Sequence, residues 1–282
     1  ASSAAPVEST ASSEAAPAEA APAGDFDTDQ TQVISREDGS GTRGAFIELT
    51  GVEEKNADGK KVDNTTEAAA IQSSTNGVMT AVANDETAIG YISLGSLNDT
   101  VKAVTVGGVA ASAETVKDGS YVLARPFNIV TNGDATDVAV DFIAYCLSKD
   151  GQALATEGYI GEDGADFTSA QPAGKITVGG SSSVSPLMEK LIEAQDVNPN
   201  AELELLTTDS TTGVSGALDG TYTIGMASVS EGLRGRGRCQ ATVLALDGIA
   251  VVVNPANTTE DLTVDQIKGI YTGELTTWAD VQ

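Results

Sequence analysis

The sequence predicts an α/β fold with a largely parallel β-sheet. Short apolar segments alternate with amphipathic segments along most of the chain beyond residue 30, as strands alternate with helices in such folds. Three loops rich in Gly, Ser and Thr also follow predicted strands and precede predicted helices. In α/β proteins these junctions lie at the carboxyl ends of the strands, where ligands bind. With 282 residues, 40% of them hydrophobic, the chain can form one large or two medium domains.

The first half of the chain contains the longest predicted helix and ends in a predicted linker. Residues 42–49 predict a helix because Ala45, Phe46 and Leu49 fall on one face. The predicted strands are 32–35, 88–92, 101–106 and 121–130, and the predicted helices are 42–49, 66–83 and 136–157. Residues 158–174 combine Gly, Asp, Ser and Pro, which is typical of a linker.

The second half repeats the alternation. Ser185 and Pro186 predict a helix start, with a hydroxyl N-cap followed by proline at the first helical position. The predicted strands are 176–178, 202–206, 223–226 and 248–254, and the predicted helices are 186–194, 213–218 and 264–271. Together the two halves predict two sets of strand–helix junctions.

Three of these junctions predict a site for an oxyanion. The loops are residues 36–42, 181–185 and 207–213. The first N–H groups of a helix lack internal partners and carry the positive end of its dipole, so a loop that opens a helix can bind an anion. Arg36 adds a planar, permanently charged guanidinium that can bind two anion oxygens. Each loop alone would be an ordinary capping turn, but three at equivalent junctions favour a shared site.

Composition excludes several other classes of function. The formal charge of −26 disfavours nucleic acid and anionic lipid as partners. A small anion can still bind, because distributed surface charge is screened beyond about 8 Å. The sequence has no histidine, the commonest general base and transition-metal ligand, so neither a metal nor a cofactor is expected. Cys146 lies in an apolar helical stripe and is expected to be a buried, inert thiol.

Residues 1–24 are expected to be a disordered spacer. They consist mainly of Ala, Ser, Pro and Glu and contain no aromatic residue, leucine or isoleucine, so they cannot offset the entropy of ordering. The spacer could be a generic linker. We expect instead the tether of a bacterial surface lipoprotein, in which a lipidated cysteine would precede Ala1.

Several long motifs resemble the phosphate-binding proteins of bacterial phosphate ABC transporters. The segments that carry the resemblance are 35–42, 180–191, 209–213, 224–228, 247–255 and 270–278. The resemblance implies a two-lobed, periplasmic-binding-protein-like (type II) fold that closes around its ligand by a hinge motion. It further implies binding of inorganic phosphate without catalysis, at the extracellular face of the bacterial membrane, and delivery to an ABC transporter permease.

The resemblance also implies which residues hold the anion. They are Arg36, Ser40, Gly41, Thr42, Ser182, Ser183 and Ser210, with Asp38, Ser181, Thr211 and Ser228 as further candidates. Monohydrogen phosphate gains from an acceptor for its proton. Some family members place an aspartate where Val229 stands here, so Asp38 and then Asp209 are the candidate acceptors. Both could instead cap helices or pair with arginines, and hydroxyls can also accept.

The two halves follow each other in exchanged order relative to that family, in which the Gly-Ser-Ser loop precedes the arginine loop. A circular permutation would explain the order if residues 278–282 originally continued into residues 32–36 and the linker 158–174 joins the former ends. One predicted lobe then comprises residues 25–104 and 250–282, and the other residues 105–249. Exchange of halves between two copies, and a longer gene with an extra half, are the alternatives.

Other interpretations stay open at this point. A surface protein for sensing or adhesion could keep the same fold, and another oxyanion such as sulfate could be the ligand. A hydrolase with Ser182 or Ser183 as nucleophile would lack an activating histidine or lysine. In the segment 229–239 three arginines alternate with glycines, which fits a flexible surface loop, a local anion patch or a compensated frameshift.

Overall fold

The computed structural model describes residues 30–133, 135–229 and 238–281. The predicted spacer 1–24 and residues 230–237 of the arginine- and glycine-rich segment lie outside the described residues. The strands are β1 Gln32–Arg36, β2 Glu53–Lys55, β3 Lys61–Asp63, β4 Ala70–Gln72, β5 Ala88–Ser93, β6 Lys102–Ala103, β7 Thr105–Val106, β8 Ala124–Asn132, β9 Gly174–Ser181, β10 Ala201–Thr208, β11 Ile224–Ala227, β12 Cys239–Val253 and β13 Asp261–Leu262. The helices are α1 Gly41–Thr50, α2 Thr75–Ala83, α3 Ala113–Lys117, α4 Asp137–Cys146, α5 Lys149–Ala155, α6 Ser185–Glu193, α7 Ser210–Asp219 and α8 Val264–Thr272.

The main sheet is parallel at both ends and antiparallel in its centre. Its strand order is β10-β9-β11-β8-β12-β5-β1-β4, with β6 beside β12. The outer pairs β10–β9, β9–β11, β5–β1 and β1–β4 are parallel, whereas β11–β8, β8–β12 and β12–β5 are antiparallel. The α/β class is confirmed, but a largely parallel sheet is wrong for the centre, where long strands connect the two parallel ends.

One end of the sheet forms the lobe that carries Arg36, here called the arginine lobe (β1, β4, β5, α1, α2 and α8). Phe46 of α1 and Tyr271 of α8 pack on one face, and Phe46 stacks on Tyr91 of β5 with ring centroids 4.0 Å apart. Val78 and Val82 of α2 pack on the opposite face. The arginine lobe is therefore a three-layer α/β/α unit whose strands all point their carboxyl ends to one edge.

The other end of the sheet forms the serine lobe (β9, β10, β11, α4, α5, α6 and α7). The core on one face contains buried apolar residues of α4, α5 and α6, including Phe142, Cys146 and Leu187. On the other face, Val214 and Ala217 of α7 pack against the sheet. Cys146 is fully buried, as expected, and burial raises the pKa of its thiol well above the usual range.

Strands β8 and β12 connect the two lobes. The first part of β12 pairs with β8 through residues 239–248, and its last part pairs with β5 through residues 249–253. Residues of the segment 106–123, among them Tyr121 and Leu123, pack into the core of the arginine lobe. The predicted lobe boundaries at residues 105 and 249 stay a prediction.

Two long predicted helices are wrong in part. Residues 70–72 of the predicted helix 66–83 form β4, because β1 takes them as its parallel neighbour, and α2 begins only after Ser74. The predicted helix 136–157 is two helices, since the hydroxyl of Ser148 accepts the Gly151 N–H and starts α5. Within the described ranges, no helix has the length and apolar character that crossing a membrane requires.

Candidate anion site

Four helices begin at the meeting edge of the two lobes. Each of α1, α2, α6 and α7 follows a parallel strand, so the amino ends of two helices from each lobe lie together. Ser40, Ser74 and Asp209 cap α1, α2 and α7 by accepting backbone N–H bonds of 3.3, 3.0 and 2.9 Å. Converging amino ends make this edge favourable for an anion.

Helix α6 starts differently from the sequence prediction. Its N-cap residue is Val184, which makes no side-chain capping bond, so the predicted N-cap role of Ser185 is wrong. Val184 already has helical backbone angles, so the helix begins at Ser185, one residue earlier than predicted. The Ser185 hydroxyl instead donates to the Ser181 carbonyl at 3.3 Å.

Arg36 is the buried cation of the site, with 2% of its side chain exposed. Its Nε and Nη2 donate to the two carboxylate oxygens of Glu37 at 2.8 and 2.7 Å, which fixes the guanidinium plane. Nη2 also donates to the hydroxyl of Ser182 in the serine lobe at 3.0 Å. The backbone N–H of Arg36 donates to the Tyr91 hydroxyl. Burial raises the pKa of this hydroxyl to about 12, so Tyr91 stays neutral.

Hydroxyl groups from the two lobes also meet directly. The Thr42 Oγ1 lies 2.8 Å from the Ser183 Oγ, and the Thr75 Oγ1 lies 3.3 Å from the same atom. Thr75 is also 3.5 Å from the Ser182 hydroxyl. All four side chains are buried. These contacts bring α1 and α2 of the arginine lobe against the loop that precedes α6.

Ser228, at the end of β11, connects the remaining hydroxyls. Its Oγ lies 3.0 Å from that of Ser181 and 3.3 Å from that of Ser210, and its N–H donates to the Ser210 Oγ at 3.0 Å. Gly41 of α1 packs against Ser210 and Ser228, which its lack of a side chain permits. A Cβ atom at Gly41 would lie 2.9 Å from the Ser228 carbonyl oxygen. The site thus depends on a close approach of backbone across the lobes.

Most of the residues proposed from the sequence come together. Those buried at this edge are Arg36, Ser40, Gly41, Thr42, Ser181, Ser182, Ser183, Ser210 and Ser228. Thr211 is exposed, and its hydroxyl donates to the Gly39 carbonyl at 3.4 Å. The Asp38 side chain is 97% exposed and pairs with Arg43 at 2.8 Å. Asp209 accepts from the Thr212 hydroxyl as well as from its N–H, so neither aspartate is directed at the hydroxyl cluster.

Thr75 and two buried charges beneath the cluster were not predicted from the sequence. Ser74, Thr75 and Gly77 form a capping pattern that marks a helix start, but they lie inside the single helix predicted over 66–83. Arg125 and Asp247 stand opposite each other on β8 and β12 and form an ion pair of 3.2 Å. The available signal was a single charge inside the predicted apolar strand 121–130 for Arg125 and one directly before the predicted strand 248–254 for Asp247. Burial raises the pKa of Asp247 to about 6, against the opposing effects of Arg125 and Ser93.

Chemically, the arrangement offers hydrogen-bond donors to a small oxyanion. The donors are a guanidinium held in a fixed plane, hydroxyls from both lobes and the N–H groups at converging helix starts. Hydroxyls can also accept, so the cluster can match an anion that carries a proton.

Comparisons with known proteins show which family this chain is similar to. A family model described as PBP superfamily domain matches residues 22–150 and 165–282. The phosphate-binding protein PstS 2 of Streptococcus agalactiae serotype V is 49% identical over 257 residues, covering 88% of this chain and 87% of the relative. PstS 2 of Streptococcus pneumoniae serotype 4 is 44% identical over 255 residues, with 89% and 87% covered.

Other matches extend the comparison. The crystal structure of a phosphate-binding protein of a phosphate ABC transporter from Streptococcus pneumoniae TIGR4 has a TM-score of 0.72 and 43% identity, and 90% of this chain and 100% of that chain are covered. The phosphate-binding protein PstS of Bacillus subtilis is 32% identical over only 117 residues, which are 39% of this chain and 38% of the relative.

Proposed function

Because this chain belongs to the PBP superfamily and, within it, to the phosphate-binding proteins of ABC transporters, we propose that it binds inorganic phosphate and delivers it to a membrane permease. The residues that hold the ion are Arg36, Ser40, Gly41, Thr42, Ser182, Ser183 and Ser210. Thr75, Ser181 and Ser228 complete the hydroxyl cluster. An ion bound by both lobes stabilises the closed form, which is the form a permease can distinguish from the open one.

The observation that carries this proposal is the contact of Arg36 and Thr42 with serines of the other lobe. Arg36 meets Ser182 at 3.0 Å and Thr42 meets Ser183 at 2.8 Å. These groups are buried and polar, and they exchange their mutual hydrogen bonds for bonds to phosphate when the ion binds. A buried, fully hydrogen-bonded oxyanion avoids the cost of unmatched polar groups.

Binding without chemistry is part of the proposal. The hydroxyls of Ser182 and Ser183 hydrogen-bond to a guanidinium and to threonine hydroxyls, none of which is a general base. The sequence also has no histidine to activate a serine. We therefore expect no hydrolysis of p-nitrophenyl phosphate at protein concentrations where phosphate binds.

Calorimetric titration of ligand-stripped protein with phosphate near pH 7 tests the proposal. We expect tight binding in the wild type and a loss of at least about 100-fold in Arg36→Ala, because a buried charge-assisted contact is removed. Arg36→Lys keeps the charge but not the planar fork, so its affinity should lie between the two. A folded wild type without binding heat for phosphate would reject the function and leave sensing or adhesion as the leading alternative.

A parallel titration with sulfate decides between phosphate and another oxyanion. Sulfate has no proton near neutral pH, whereas monohydrogen phosphate needs one acceptor. We propose that a hydroxyl of the cluster supplies this acceptor, since Asp38 and Asp209 point elsewhere. A hydroxyl can also donate to sulfate, so sulfate that binds as tightly as phosphate would identify a general oxyanion site. Strong preference for phosphate would instead show that the accepting group of the site cannot donate.

The exchanged order of the halves is also proposed as a circular permutation. The Thr31 N–H donates to the Thr276 carbonyl at 2.8 Å, and Gln30 pairs with Thr277, so the first and last described segments are neighbours. The streptococcal proteins match 255–257 residues of this chain, whereas the Bacillus protein matches only 117. This difference fits an order of halves that the streptococcal proteins share and the Bacillus protein does not. A chain rearranged so that residues 174–281 precede residues 30–173 keeps the buried Tyr159 and Ile160. It should keep its phosphate affinity and be monomeric by light scattering; loss of folding would contradict the permutation.

We further propose that the protein acts at the extracellular face of the cell membrane, held there by a lipid anchor through the spacer 1–24. Support comes from the composition of the spacer and from the transporter family. Labelling of the cell-surface protein with a fatty-acid analogue tests the anchor. Absence of label on a protein found only in the medium would contradict it.

A further inference from the structure

A buried ion pair lies where the two connecting strands cross from one lobe to the other. Arg125 of β8 and Asp247 of β12 are register partners, and both side chains are 0% exposed. The charged atoms meet in one contact of 3.2 Å. A buried pair of this kind seldom stabilises a fold more than apolar residues of similar size would. Its presence directly beneath the hydroxyl cluster therefore calls for a functional explanation.

The ion pair is oriented with its positive end toward the site. The Arg125 Nη1 reaches the carbonyl of Ser228 at 3.5 Å, and Ser228 is the residue that connects Ser181 to Ser210. Asp247 points the other way, where its Oδ1 accepts a hydrogen bond of 2.8 Å from Ser93 of β5. The pair thus forms a fixed dipole, with its negative end at Ser93 of β5 in the arginine lobe and its positive end at the Ser228 carbonyl in the serine lobe.

The guanidinium of Arg125 is only partly satisfied by the protein. Its Nε is buried and has no hydrogen-bond partner within the part of the chain that the structure describes, and Nη1 makes only the long contact to Ser228. Burial, and to a smaller extent repulsion from Arg36, lowers the pKa of Arg125. Both buried cations reach the serine side of the cluster, Arg36 through the Ser182 hydroxyl and Arg125 through the Ser228 carbonyl. An anion between the lobes would therefore reduce the unfavourable energy of both.

We propose that Arg125 is a second cation of the anion site, acting from the layer beneath the hydroxyls, and that Asp247 and Ser93 hold it there. Arg125 is a positioning residue: it orients the Ser228 peptide and adds its field to the site without touching the ligand. This inference rests on the proposed function, because it concerns affinity for the same phosphate ion.

The proposal predicts opposite effects for the two members of the pair. Removing the positive charge should weaken phosphate binding, whereas removing the negative charge should leave binding unchanged or tighten it. A purely structural pair predicts weaker binding in both cases, because either change disturbs the same strands. The sign of the Asp247→Asn effect therefore separates the two explanations.

The experiment compares phosphate affinities by calorimetry in three proteins: wild type, Asp247→Asn, and the double variant Arg125→Met with Asp247→Asn. Asparagine keeps the acceptor for Ser93, and the double variant buries no unpaired charge, so its fold is protected. Lys190→Met removes an exposed cation of α6 and serves as the control for charge, because exposed charges are screened. Thermal unfolding of each ligand-free protein reports stability separately.

We expect Asp247→Asn to bind phosphate at least as tightly as wild type, and the double variant to bind at least about tenfold more weakly than Asp247→Asn. If Asp247→Asn does not fold, the double variant is compared with wild type instead, and the same loss of phosphate affinity is expected. A folded double variant within about twofold of its reference, or an Asp247→Asn variant that binds distinctly more weakly than wild type, would overturn the inference alone. Absence of phosphate binding by the wild type would overturn the proposed function as well.

Discussion

Replacing Gly41 by alanine is expected to weaken phosphate binding without unfolding the protein. Gly41 is the first residue of α1, and its backbone angles are open to any residue. A methyl group there would overlap the Ser210 hydroxyl and lie 2.8 Å from the Ser228 Oγ and 2.9 Å from the Ser228 carbonyl oxygen. The obstacle therefore appears only when the arginine lobe closes on the serine lobe.

The magnitude follows from these distances. Ordinary contacts of a Cβ atom lie at 3.4–4 Å, so the Ser228 backbone must withdraw by about half an ångström or more. Overpacking of this kind costs about 1–3 kcal/mol. Because the cost falls on the closed form, phosphate affinity should drop by about 5- to 150-fold. The open, ligand-free form should be equally stable or gain about 0.5–1 kcal/mol from alanine in a helix.

The assay is calorimetric titration with phosphate, together with thermal unfolding of the ligand-free protein. Gly44→Ala is the matched control, because it lies on the same helix and a Cβ atom there would meet nothing within 4 Å. Gly44→Ala should bind like wild type. A Gly41→Ala protein that binds phosphate with the affinity of Gly44→Ala would refute the inter-lobe contact of α1 as part of the bound state.

Three further predictions concern single groups. Thr75→Val should weaken phosphate binding by about 3- to 10-fold, because it removes a hydroxyl 3.3 Å from Ser183; Thr80→Val, on the exposed face of the same helix, should not. Asp38→Asn should change affinity by less than about twofold, since the carboxylate is exposed beside Arg43; a large loss would show that it turns toward the ligand. The free energy of unfolding of wild type, relative to that of Asp247→Asn, should decrease as the pH rises from about 4 to about 6. The pKa of Asp247 is raised to about 6 in the folded form, so in this window the unfolded chain gives up the proton more readily than the folded one. A difference that does not change with pH would contradict this.

The sequence located the strand–helix junctions well. The predicted strands near residues 33, 90, 177 and 225 are confirmed, as is helix α1, since each has a strong local pattern bounded by Gly, Ser or Thr. The hydroxyl-rich loops could be found because helix starts need side-chain or anion partners for their N–H groups, and this need shows in the residue types themselves. The family resemblance likewise depended on contiguous motifs.

Elements that depend on a distant neighbour were not found. The alanine-rich segment before Ser74 has helical propensity, yet residues 70–72 become a strand because β1 offers an unpaired edge. The site residue Thr75 was hidden by the same error. Likewise, β12 is twice as long as its predicted core, because its first part is defined by pairing with β8.

By itself, the sequence determined the α/β alternation, the hydroxyl-rich loops at helix starts and the position of Arg36 in one of them, since local periodicity, capping chemistry and charge indicate each. Tertiary structure decided which hydroxyls meet across the lobes, that Asp38 faces solvent, and that Arg125 and Asp247 lie beneath the site. The physical reason is that the inter-lobe hydroxyl contacts and the ion pair join residues more than 100 positions apart, such as Thr42 and Ser183, and depend on how two sheet ends fold toward each other. No local pattern encodes that approach.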